Sequence, residues 1–167
     1  MHSDKARNAI MDIREENKKI VEKFFGYLQS PLPSGSDLVE MKNMFSDDAV
    51  WEMPFMPAPL EKAIPGRALI GHFLDWFFAA VPDMRISDRV VHPTLDPNLF
   101  VIEFKANATV TMTGKPYNQT YILNMQIRDG KLALLREHFD SMVVWESFGG
   151  YDGLLEGGAK IQEAAAA

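Results

Sequence analysis

Apolar residues in the first part of the chain recur at steps of three and four. Ile10, Ile13, Ile20, Val21, Phe24, Phe25 and Leu28 follow this spacing, and Asn17 interrupts it. That is the signature of one buried helix face. The pattern predicts a helix from about Asp4 to Gln29, capped by Ser3 or Asp4. Pro31-Leu32-Pro33 stops it, because proline lacks an amide hydrogen and clashes with the preceding turn. A second, short helix is expected from Asp37, with Glu40 three residues on as a capping-box partner. Ala49 to Met53 alternates as a strand would, placing Trp51, Met53 and Phe55 on one side. Pro54, Pro57, Pro59 and Pro65 then make a stiff loop suited to covering something. Arg67 to Ala80 is apolar nearly all round, which predicts a buried third helix.

The remaining pattern is mostly of period two. Strands are expected over Met84–His92, Leu99–Thr113, Tyr117–Arg128 and Lys131–Trp145. In the second of these, Phe100, Ile102, Phe104, Ala108, Val110 and Met112 share one side. The other side carries Glu103 and Lys105, and is expected to be solvated or to pair with a second subunit. Helices first and a meander of strands after them argue for an α+β fold, not a doubly wound nucleotide fold. Residues 1–150 are read as one domain. Residues 151–167, rich in glycine and alanine, are expected to be a mobile tail or an arm packed on a partner.

Asp129-Gly130 is a strong two-residue hairpin signal. A turn without a bulge pairs Arg128 with Lys131, Ile127 with Leu132, Met125 with Leu134 and Leu123 with Arg136. It then pairs Tyr121 with His138 and Gln119 with Asp140, all on one face, and puts Ile122 and Glu137 on the other. The result is an apolar floor with a polar cluster at one end, as in a ligand pocket. His138 and Asp140, two apart, suit a general base near neutral pH, or simply a polar patch at a strand end. Tyr121 can donate to a developing oxyanion or serve as a core residue. Glu137 lies among Leu134, Leu135 and Phe139. Burial there would raise its pKa and fit it for acid or base work, unless Arg128 or Arg136 pairs with it. His72, on the buried helix, reads as a core group or a pocket residue.

Composition narrows the chemistry. The chain has 167 residues, a net charge of −6 and no cysteine. Disulfides, thiolate metal sites and cysteine nucleophiles are excluded. No basic nucleic-acid footprint is present, and no apolar stretch is long enough to span a bilayer. The start lacks the apolar core of a signal peptide, so a cytoplasmic protein is expected. The four histidines are scattered without metal-ligand spacing, and no nucleotide or cofactor motif occurs. No metal and no cofactor are therefore expected, and the partner is taken to be a small apolar organic ligand.

Several short motifs resemble a known family. They are Ala49-Val50-Trp51-Glu52-Met53-Pro54, Pro65-Gly66-Arg67 opening a helix, Pro82-Asp83, Asp129-Gly130-Lys131-Leu132 and Arg136-Glu137-His138-Phe139-Asp140. In order and spacing they resemble the SnoaL-like branch of the nuclear-transport-factor-2-like superfamily, from about Glu16 to Trp145. The phenazine-biosynthesis A/B proteins are its nearest well-known relatives. The resemblance implies a cone-shaped α+β barrel, a homodimer packed through its sheets and a deep apolar pocket. It also implies cofactor-independent acid–base chemistry of isomerase, cyclase or dehydratase type, or else a non-catalytic binding protein. His138 and Asp140 resemble the aspartate or histidine near the last strand of the cyclases, while Glu137 and Tyr121 resemble the glutamate and tyrosine of the phenazine proteins. Arg67 stands where those proteins carry a histidine. The expected pocket lining is Trp51, Met53, Phe55, Arg67, His72, Trp76, Leu123 and Met125.

Overall fold

The structure is a computed structural model that describes residues 2–29 and 31–166, with side chains from residue 7 onward. Helix α1 spans His2–Tyr27, and α2 spans Gly35–Lys42. Strand β1 (Phe45–Glu52) and the short β2 (Ala63–Pro65) precede α3 (Arg67–Ala80). Strands β3 (Arg85–Pro93), β4 (Leu99–Thr109), β5 (Pro116–Arg128) and β6 (Lys131–Phe139) follow, then α4 (Ser141–Ser147) and α5 (Gly150–Ala166). One sheet runs in the order β2-β1-β6-β5-β4-β3. Only the β1–β6 pairing is parallel. The expected α+β class holds.

The apolar stripe of α1 is buried from Asn17 onward. Val21, Phe24 and Phe25 are sealed, while Ile10 and Ile13 stay exposed at 44% and 45%. Asn17 interrupts the stripe because it works as a clamp. Its Nδ2 donates to Pro97 O and Asn98 Oδ1 at 3.1 and 2.9 Å, tying the helix to the β3–β4 turn. The caps expected at Ser3 or Asp4 lie outside the described side chains. The capping box expected in α2 does not form. The helix starts at Gly35, no side chain caps it, and Glu40 accepts from the Tyr27 hydroxyl at 2.8 Å instead.

The inner face of the sheet and the helices share one core. Phe100, Ile102, Leu123, Met125, Leu132 and Leu135 are almost completely buried, as are Ile70 and Leu74 of α3. Each contributes about 1.5–3 kcal/mol relative to exposure. Met112 was expected on this face but is exposed. Strand β4 ends at Thr109, and residues 110–115 form a turn closed by Val110 N–H to Lys115 O at 2.9 Å.

The hairpin at Asp129-Gly130 forms as expected. Both residues have positive φ (51° and 73°), the geometry such a two-residue turn requires. Arg128 pairs with Lys131 and Ile127 with Leu132. Beyond that the expected register fails, because Gln126 pairs with Leu134 and leaves Ala133 as an extra residue. Met125 then faces Leu135, Leu123 faces Glu137, and Tyr121 faces Phe139. This is a β-bulge, and it exchanges the two faces of all that follows in β6. Hydrophobicity supplies the reason. A regular strand would put Arg136, His138 and Asp140 inside and Leu135 and Phe139 outside, whereas the bulge buries both apolar side chains.

The last strand also ends earlier than the alternation predicts. After Phe139 the chain leaves the sheet, and the Asp140 carboxylate caps α4 by accepting from Met142 N–H at 2.8 Å. Gln119, which is 2% exposed, holds this exit. Its Oε1 accepts from Asp140 N–H at 2.9 Å, and its Nε2 donates to Asp140 O at 2.9 Å. Gln119→Ala would remove both hydrogen bonds to the Asp140 backbone. It is expected to cost about 1–3 kcal/mol, read from denaturant unfolding, with faster hydrogen exchange at Asp140.

The segment expected to be a tail or an arm is helix α5, packed on α3 of its own chain. Leu154, Gly157 and Ile161 face inward. A Cβ at Gly157 would approach the Trp76 ring at 2.5 Å, so the two helices meet at this glycine.

Candidate functional site

The sheet's curvature leaves a cavity between its inner face and α3, α4 and α5. The cavity has a volume of about 70 Å³. Trp51 and Met53 of β1 and its exit line it, with Phe73, Trp76 and Phe77 from α3. Phe104, Tyr117, Tyr121, Leu123, Glu137 and Phe139 come from the sheet, and Val144, Phe148 and Leu154 from α4 and α5. Met56 and Leu60 show that the proline-rich loop does form part of a wall. The loop thus has the covering position its stiffness suggested.

The aromatic side chains hold one another in place. Trp51 stacks on Phe45, with ring centroids 6.0 Å apart, and meets Phe73 edge-on at 5.4 Å. Tyr121 stacks on Phe104 at 4.7 Å. Such contacts add to the area term and restrict the rings.

Against this apolar wall the polar groups are few. Glu137 is partly buried and lines the cavity. Burial pushes the carboxyl up to about 7, although a hydrogen bond from Trp51 opposes the shift. Trp51 Nε1 donates to Glu137 Oε2 at 3.3 Å. The hydroxyls of Tyr117 and Tyr121 are hydrogen-bonded to each other. Burial raises both above the usual tyrosine range, and the nearby Glu137 charge adds to the rise. Lysine, arginine and histidine are all missing from the lining of this cavity. The arrangement places a carboxyl that titrates near neutrality beside a tyrosine pair able to donate one hydroxyl outward.

Trp51→Phe keeps a ring between Phe45 and Phe73 but removes the indole donor. The donor favours the ionised carboxylate, so its loss is expected to move the Glu137 pKa above about 7. Carbon-13 NMR of the side-chain carboxyl reads this directly.

The other expected site residues are placed as follows. Trp51, Met53, Trp76, Leu123 and Tyr121 line the cavity, as does Glu137, which the unbulged register had put outside. Met125 is sealed deeper in the core. His138 pairs with Ile122 on the outer face, and its ring lies against the exposed ring of Phe55 at 5.7 Å. Asp140 is engaged as the α4 cap. Arg67 forms an ion pair with Asp47 at 2.6 Å, away from the cavity, and His72 does not reach the lining. The bulge and the early end of β6 explain why His138 and Asp140 fall away from Tyr121. Among the described residues, no cluster of three or more histidine, aspartate or glutamate side chains could hold a metal ion, and no helix is long and apolar enough to cross a membrane.

Tyr117 was missed, although the alternation through Tyr121 and Leu123 already placed it on the inner face. Phe148 and Leu154 had no such signal. The five glycines between 149 and 158 argue against a helix there.

This fold is the cone-shaped α+β fold of the nuclear-transport-factor-2-like superfamily, and the chain belongs to the SnoaL-like domain family, which matches residues 34–135. Its relatives include the uncharacterised protein YesE of Bacillus subtilis. That protein is 28% identical over 141 residues, covering 84% of this chain and 92% of its own length. An uncharacterised PhzA/B-like protein of Pseudomonas aeruginosa is 28% identical over 123 residues, covering 74% and 84%. A solved structure from Bacillus subtilis, described as that of a candidate isomerase, superposes with a TM-score of 0.71 at 28% identity, covering 81% of this chain and 94% of that one.

Proposed function

We propose that the protein is a cofactor-independent acid–base enzyme acting on a small, uncharged, largely apolar molecule. The observation that carries this reading is the Glu137 carboxyl, held near neutrality inside an aromatic cavity and facing a tyrosine pair. In its ionised form Glu137 takes a proton from a carbon beside a carbonyl. The free hydroxyl of the Tyr117–Tyr121 pair donates to the carbonyl oxygen as negative charge develops there. Return of the proton to another carbon gives isomerisation. Attack of the enolate carbon on a second carbonyl gives cyclisation, and loss of a β-hydroxyl gives dehydration. The absence of a cation from the cavity lining favours neutral substrates over carboxylates. The isomerase description of one relative and the PhzA/B likeness of another support the same class.

The test is exchange of deuterium from solvent into the α-position of neutral aryl ketones, followed by proton NMR. Wild-type protein is expected to accelerate exchange, Glu137→Gln to abolish the effect, and His138→Gln to leave it intact. Exchange that Glu137→Gln leaves unchanged would overturn the assignment. A second reading, a non-catalytic small-molecule binding protein, is favoured by the outward placement of His138 and the capping role of Asp140, which leave Glu137 as the sole carboxyl or imidazole in the lining. Tight ketone binding without exchange would select it.

The same proposal takes the outer sheet face as the contact of a homodimer. Val90 and Ile122 there are 49% and 45% exposed. Light scattering of the wild type and of Ile122→Glu checks this.

A further inference from the structure

A second hollow lies beside the cavity. Helix α5 forms one bank with Leu155, Gly158, Ala159 and Ile161, and the segment from Met53 to Pro65 forms the other. Leu69 and Phe73 of α3 complete it. The groove has a volume of about 610 Å³. Its only polar side chains are Glu61 and Gln162. With no lysine or arginine in it, nothing in the groove would neutralise a phosphate or carboxylate.

The groove and the inner cavity share four lining residues: Met53, Met56, Leu60 and Phe73. A single layer of side chains therefore separates the two spaces. Two of the four are methionines, which change rotamer at little cost. Leu60 rests on Gly158, where an added Cβ would approach its Cδ2 at 2.6 Å. The partition is made of side chains that can turn aside, and both spaces have apolar walls.

The geometry points to a two-compartment ligand site, in which a compact carbonyl-bearing head occupies the inner cavity and an uncharged hydrocarbon tail passes Met53, Met56 and Leu60 into the groove beneath α5. This deepens the proposed function and rests on it, since the head is the group presented to Glu137. The substrate class it names is an elongated neutral molecule, such as an aryl ketone carrying an alkyl or acyl chain. The tail gains by leaving water along the groove, and its length, not its charge, sets the affinity.

The probes are 6-propionyl-2-dimethylaminonaphthalene and its 6-lauroyl homologue, two neutral ketones that differ only in acyl length. Their fluorescence reports the polarity of the bound site. Ala159→Trp fills the groove from the α5 bank, and Ala63→Trp from the β2 bank. Both positions are exposed and lie outside the inner lining, so the fold and the inner cavity stay intact. The wild type is expected to bind the lauroyl ketone about 100-fold more tightly than the propionyl ketone. Either tryptophan is expected to reduce that ratio to within about threefold while leaving propionyl affinity unchanged. If both variants keep the full length preference, the tail does not lie in the groove and the inference falls, while the reading of the inner cavity stands. Equal binding of the two ketones by the wild type has the same consequence. If neither ketone binds, the reading of the cavity fails and takes the inference with it.

Discussion

Glu137→Gln is expected to remove proton transfer and, at the same time, to make the protein more stable above pH 7. The two effects share one cause. Burial holds the carboxyl near 7 in the folded state against an ordinary value of 4.5. Below pH 4.5 the group is protonated in both the folded and the unfolded chain and contributes no pH dependence. Between 4.5 and 7 the unfolded chain releases its proton and the folded one keeps it, so stability falls as pH rises. Above 7 both states are ionised and the penalty is complete, at roughly 3 kcal/mol. Glutamine keeps the shape and an oxygen to accept from Trp51 but has no charge to bury. Urea unfolding at pH 4 and pH 8 should show wild type and variant nearly equal at the first and the variant ahead by up to about 3 kcal/mol at the second. The same change should lower the exchange rate about 100- to 10,000-fold, the usual contribution of a general base. A variant that is both more stable and inactive marks a residue kept for chemistry at the expense of the fold.

Gly153→Ala should have a large effect of the opposite kind. A Cβ there would lie 1.7 Å from Phe148 O, a backbone atom that no rotamer change can move. The α4–α5 junction must open to admit it, withdrawing Leu154 and Phe148 from the cavity wall. The expected cost is about 3 kcal/mol or more, at the upper end for overpacking, because backbone must shift. Hydrogen exchange should rise across residues 150–166 and remain low in β4 and β5. Uniform protection across α5 in the variant would contradict the packing described.

Much of this was legible in the residues themselves. Phe24 and Phe25 on α1, the apolar α3 and the Asp129-Gly130 turn are local patterns, and local patterns carry their own geometry. What failed was cumulative. The extra residue at Ala133 turns over every later position of β6, so the unbulged register, with Glu137 outside and His138 inside, could not decide which of them faces the pocket. The clue was present in Leu132, Leu135 and Phe139, which share a face only if the strand carries an extra residue. Helix α5 was hidden for another reason. Its glycines lower helix propensity, and their purpose, close contact with Trp76 and Leu60, exists only once the partner surface has folded. The Tyr117–Tyr121 pair lay on a face the alternation had already assigned, but nothing in a single sequence marks two hydroxyls as neighbours.

Ala133 carries no functional group and has no partner on β5. Loss of that one codon would close the bulge and leave Gln126 opposite Leu134, Met125 opposite Leu135 and Leu123 opposite Glu137, so the same side chains would face the cavity. A strand can thus gain or lose a residue at such a point without exchanging the groups that face the cavity, and tolerance of change there need not mean tolerance of change in chemistry.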